Sequence, residues 1–187
     1  MLQRVVTGAQ DLCGSERVFL ALREPGSDTL VGRYEVGAPD MAYAGLRIES
    51  GKGLGGQVLL SGRTWRTADY AADARFSKEY LTGARADGHL AVLAVPILIG
   101  ARVEGVLFAS NHAAYPFTDR DEEILGRLAV HAAIAIQNAQ LYRMAQAELA
   151  ERRTAEAALA QAAAELEQRV AERTAALRQA MAERQRL

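Results

Sequence analysis

Apolar residues at Leu2, Val5, Val6, Ala9 and Leu12 recur at three- and four-residue spacing, which predicts a short amphipathic helix stopped by Gly14. The pattern then changes. Residues 17–23 (RVFLALR) and 29–36 (TLVGRYEV) predict two strands joined by the turn-forming EPGSD. Short strands are predicted at 45–50 and 64–67, on either side of a short helix at 56–60 closed by Ser61 and Gly62. Asp73 is placed to cap a helix over 74–81. The strongest strand signals are 90–99 and 102–111, linked by Gly100 and Ala101 as a tight hairpin. Thr118 then caps a helix whose first turn carries Asp119, Asp121, Glu122 and Glu123, where the helix dipole favours acids. Five or six strands with few long crossovers, and helices at both ends, predict an α+β fold around a mostly antiparallel sheet.

Beyond residue 140 the pattern is helical throughout. With position a at Tyr142, Leu149, Glu156, Ala163, Val170 and Leu177, position d falls on Ala145, Arg152, Leu159, Leu166, Arg173 and Ala180. From Leu159 to Leu177 the seam is largely apolar, Arg173 excepted, which predicts a dimeric coiled coil using Leu149, Leu159, Ala163, Leu166, Val170 and Leu177. The alternative is a solvated single helix supported by i,i+4 pairs such as Glu148–Arg152 and Glu165–Arg169. The coiled coil is preferred because a lone helix has no partner for its leucines.

Composition sharpens this division. Residues 141–187 hold 15 alanines and no Gly or Pro, whereas all 16 glycines and four prolines lie before them. The 187 residues therefore divide into a turn-rich domain, 1–140, and a helical linker, 141–187. The net charge of −1 argues against nucleic acid as a partner. The longest apolar run, residues 90–101, contains Pro96 and Gly100 and is too short for membrane insertion. Without a long apolar leader or paired cysteines, a cytoplasmic setting is expected.

Candidate chemistry is sparse. Gly51, Gly53 and Gly56 in GKGLGG satisfy a dinucleotide-binding spacing, but the helix that follows is too short for a crossover between parallel strands. A glycine turn that starts a helix is the preferred reading. Cys13 lies on the apolar-faced first helix and is expected to be buried; no base or electropositive niche accompanies it. His89, His112 and His131 show no metal-site spacing, and His131 is read as a core or interface histidine. No metal, catalytic residue or cofactor is predicted, with haem on one of these histidines left as an alternative. Tyr70, Phe76 and Tyr80 cluster between two strands, and the choice between a lid over a cavity and plain core filling stays open. With His89 at the start of a buried strand, and Phe108, they form the candidate ligand-binding set.

Three segments in this order resemble a GAF domain: GKGLGGQVLLSGRTWRTADYAADARF, LAVLAVPILIGARVEGVLFASN and FTDRDEEILGRLAVHAAIAIQNAQLY. The resemblance covers most of residues 1–140. It implies a GAF/PAS-like antiparallel sheet of about six strands, flanked by helices, with a small-molecule pocket on one face. Asn111, Phe117, Asp121 and Glu122 match a structural motif of cyclic-nucleotide-binding members, with His112 where that motif has Lys. The tail resembles the signalling helix of bacterial sensor histidine kinases in two-component systems. The expected function is sensory: the domain binds an unknown small molecule, and a parallel homodimer relays the change to a downstream output domain, such as a histidine kinase core, outside this chain. The alternatives are a ligand-free dimerisation scaffold and an enzyme of the GAF-type methionine sulfoxide reductase kind. No kinase, cyclase or multi-cysteine reductase motif is present, so the chain is not expected to be an enzyme.

Overall fold

The computed structural model describes residues 1–37, 43–80, 89–112 and 115–184, with backbone alone at 89, 90, 179, 180 and 182–184. The elements are α1 (Leu2–Cys13), β1 (Arg17–Arg23), β2 (Thr29–Val36), β3 (Arg47–Glu49), α2 (Gly53–Ser61), β4 (Trp65–Thr67), β5 (His89–Ile99), β6 (Arg102–His112) and α3 (Asp119–Arg184). The strands form one six-stranded sheet in the order β3-β2-β1-β6-β5-β4, and every pairing is antiparallel. The fold is α+β, as expected.

Both faces of the central strands are covered, so β1, β5 and β6 read as nearly continuous apolar runs rather than as alternating ones. On one face, Val5, Val6 and Ala9 of α1 and Leu125, Ala129, Ala132 and Ile136 of α3 pack on Leu20, Leu93, Val95, Ile97 and Leu107. On the other face, Leu54 and Val58 of α2, with Tyr70 and Phe76, pack on Phe19, Ala94, Val106 and Phe108. Side chains alternate across the sheet within each strand: Leu20 and Leu107 join the first core, Phe19 and Phe108 the second.

Gly14 ends α1, and Thr118 starts α3: its hydroxyl donates to Asp121 Oδ2 at 2.6 Å, and the same oxygen takes the Thr118 N–H at 2.8 Å. Two expectations are corrected. The short helix begins at Gly53, three residues early. The helix over 74–81 is not present in its described part; residues 71–80 are turns, and Leu81 lies outside the described residues. The reason is local. Asp69 Oδ1 accepts the N–H groups of Ala71 and Ala72, and Asp73 Oδ1 accepts that of Arg75. These carboxylates offer the backbone an alternative to helical bonds.

The chain divides into two compact units, Met1–Asn138 and Ala139–Leu187. The second is the continuation of α3. Its side chains from 141 to 178 are all exposed, including Leu149, Leu159, Ala163, Leu166, Val170 and Leu177. No helix among the described residues is long and apolar enough to cross a membrane.

Candidate functional site

A cavity of about 60 Å³ lies on the sheet face that carries α2. Phe19 and Phe108 face each other across β1 and β6, and their rings stack at 4.0 Å with only 5° between planes. Tyr43 stacks on the same Phe19 at 4.8 Å. Three rings therefore form one wall, and Ile48, Leu54, Val92, Tyr70 and Tyr80 close the space.

Two glycines make this geometry possible. A Cβ on Gly32 would lie 2.0 Å from the Tyr43 carbonyl oxygen, so a bare backbone lets residues 43–46 cross β2 closely. Gly32 N–H donates to the Leu46 carbonyl at 2.9 Å, and Gly45 N–H returns to the Gly32 carbonyl at 3.0 Å. A Cβ on Gly55 would come within 2.5 Å of Phe108 Cζ, so α2 rests on the ring edge only because that position is glycine.

Of the predicted ligand-binding residues, Tyr70, Tyr80 and Phe108 line the cavity. Phe76 does not; it is buried beside the cavity, edge-on to Trp65 at 5.6 Å. His89 pairs with His112 through the strand ladder, and its side chain lies outside the described residues. Tyr70 O–H donates to the Ser77 carbonyl at 2.7 Å, and burial pushes its phenol up to about 12, so the ring stays neutral. Tyr80 accepts the Glu49 N–H at 3.1 Å. Phe19, Tyr43, Leu46, Ile48, Leu54, Gly55, Val92 and Ser110 were not singled out from the sequence. A glycine inside the strand pattern TLVGRYEV is the signal that would have pointed to a second backbone there, and so to Tyr43.

Behind Tyr43, the Arg17 guanidinium lies 5.0 Å from the ring centroid and pairs with Glu35 at 3.6 Å. Both side chains are only 3% exposed. Removing one partner of such a pair costs about 3–5 kcal/mol, because the other charge is left buried.

The glycine motif is structural. Gly51 N–H donates to the Gly56 carbonyl, Gly53 N–H to Ser77 Oγ, and Gly56 N–H to the Lys52 carbonyl. Amides spent in this way do not cradle a phosphate. The residues of the second motif make local structural contacts. Asn111 Oδ1 accepts the Glu16 N–H at 2.8 Å, Phe117 is buried against the α1–α3 core, and Asp121 caps α3. Glu122 and Asp119 pair with Arg66 on β4, while His112 Nδ1 pairs with Glu16. Cys13 is partly exposed rather than buried; burial, with Asp121 nearby, pushes its thiol up to about 11. His131 is exposed, not in the core. Among the described residues no group of three His, Cys, Asp or Glu is placed to hold a metal ion.

The model of the GAF domain family matches residues 1–136. The chain belongs to the GAF domain family. This GAF domain is 31% identical over 84 residues to the HTH-type transcriptional activator RamA of Corynebacterium glutamicum, a match covering 45% of this chain and 30% of that protein. The GAF domain of a phosphoenolpyruvate-protein phosphotransferase from Coxiella burnetii superposes with a TM-score of 0.67 at 20% identity, over 76% of this chain and 84% of the other. The free methionine-R-sulfoxide reductase of Neisseria meningitidis, solved with its substrate, superposes at 0.62 with 25% identity, over 75% and 78%. GAF domains are regulatory, ligand-binding folds in general.

Proposed function

We propose that this GAF domain senses a small molecule in the aromatic cavity and signals through its last helix. The observation that carries this reading is α3 itself. One helix, uninterrupted by Pro or by any Gly after Gly126, holds both Leu125 and Ile136 in the sheet core and the heptads at Leu159 and Leu166. Leu159 is 72% exposed and Leu166 61%, which a second copy in a parallel coiled coil would cover. Ligand binding tilts or rotates α3 at Leu125, Leu128 and Ile136, and the helix carries the motion to an output domain such as a histidine kinase core outside this chain. The ligand must bind one helix arrangement better than the other.

The reading is regulatory rather than catalytic. The similarity to a reductase raises the alternative of thiol chemistry, and Cys13 argues against it. Cys13 packs with the α1–α3 core, on the opposite sheet face from the cavity. Its thiol is held protonated, whereas a nucleophilic thiol needs a lowered value.

Native mass spectrometry of the whole chain, with an absorbance spectrum, tests the proposal. The expected result is a dimer that retains a small molecule, and a monomer of unchanged circular dichroism for the double variant Leu159→Asn, Leu166→Asn. A monomeric unaltered chain, or a dimer with a ligand-free cavity that no metabolite stabilises thermally, overturns it.

A further inference from the structure

The cavity's walls say more than that something binds. Its described lining consists of rings, three of them tyrosines, with aliphatic side chains, one glycine and one aliphatic hydroxyl, Ser110. Ser110 is buried on β6, two residues beyond Phe108 and on the same sheet face, and its Oγ makes no hydrogen bond among the described residues. The Tyr70 hydroxyl is already spent on Ser77. At about 60 Å³ the space is small. We infer that the cavity takes a neutral, mainly apolar molecule no larger than one aromatic ring, with one polar group that hydrogen-bonds Ser110.

Rings present negative faces and positive edges, so a flat ring gains both from the Phe19–Phe108 stack and from Tyr80 beyond the area that it buries. Desolvating a carboxylate or phosphate against this described lining costs far more than desolvating a hydroxyl, because it offers hydroxyls and no charge. A ligand without a polar atom covers the Ser110 Oγ without offering it a partner, which penalises it against a phenol-like one.

This inference rests on the reading of the cavity as a ligand site, and it is tested with phenol, benzene and benzoate as probes. Each is titrated into the whole chain and followed by backbone amide shifts in NMR. Phenol is expected to give saturable shifts centred on Phe19, Leu54 and Ser110, with benzoate at least tenfold weaker. Ser110→Ala is expected to weaken phenol about tenfold and to leave benzene within twofold. Val92→Phe, which fills the cavity, is expected to abolish both; if it does not fold, the Ser110→Ala split decides alone. The inference is overturned if benzoate binds as well as phenol, if Ser110→Ala weakens both probes equally, if the shifts survive Val92→Phe, or if no probe binds. Preference for a charged probe at the same residues overturns the ligand class alone and leaves the sensory reading standing. Dimer state and retained ligand test that reading separately.

Discussion

Asp73 sits in the turns that follow Tyr70, a residue of the cavity wall. Arg75 binds its carboxylate through Nη2 at 2.6 Å and through Nε, holding Asp73 well below the usual carboxylate range, and Thr67 adds a further hydrogen bond. Lys78 Nζ, over the Tyr70 ring, donates to the carbonyls of Tyr70 and Asp73 and ties the same turns together. A carboxylate whose value is lowered by folding binds fewer protons in the native state than in the unfolded one. Its contribution is therefore complete above the unfolded value, about 3.9, and fades as pH falls below it. Urea midpoints of the unaltered chain should drop more steeply between pH 5 and pH 3 than those of Asp73→Asn, and the variant should be the less stable of the two at pH 7. Parallel pH profiles would contradict this assignment. The network also explains why residues 74–80 depart from the predicted helix. The spacing of apolar positions there permits a helix, but two aspartates satisfy the nearby amides first.

Among the elements, α3 is the one whose start can be tested most directly. Thr118 and Asp121 reciprocate across its first turn, and Arg66 on β4 reaches Asp119 and Glu122. The exposed ion pairs contribute at most about 1 kcal/mol each. The cap should matter more: Thr118→Ala is expected to cost about 1 kcal/mol in chemical denaturation, with Arg66→Ala at half of that or less. Equal losses would shift the weight to the ion pairs. This cap was legible from Thr-Asp-Arg-Asp, as were β5 and β6, whose branched residues and Gly100 turn leave one solution. The start of α2 was less so. Gly53, Gly55 and Gly56 look like a turn in isolation; Gly53 enters α2 with a left-handed φ of 59°, and Gly55 and Gly56 let the helix lie against Phe108 and the Glu49 backbone.

Across the whole molecule, the packed core and the exposed apolar positions of the tail lie in different places. Leu107 is fully buried at the centre of the sheet, against the α1–α3 core. Leu107→Ala should cost about 2–5 kcal/mol in urea unfolding. Leu177→Ala, at an exposed helical position, should cost less than about 0.5 kcal/mol at concentrations where the chain is monomeric. A large loss for Leu177→Ala under those conditions would show that the tail is packed within a single copy.

By itself the sequence determined the α+β class, most of the elements in their succession along the chain and the long terminal helix, because periodicity and turn chemistry are local properties. It also determined the contrast between a glycine-bearing domain and an alanine-rich tail. The cavity was decided only by the tertiary structure. Three of the five residues expected to line it do so, and most of the remaining wall, Tyr43, Phe19 and Ser110 among it, comes from positions far apart in the chain. Which ring meets which depends on strand register and on a backbone crossing at Gly32, and neither leaves a periodic trace.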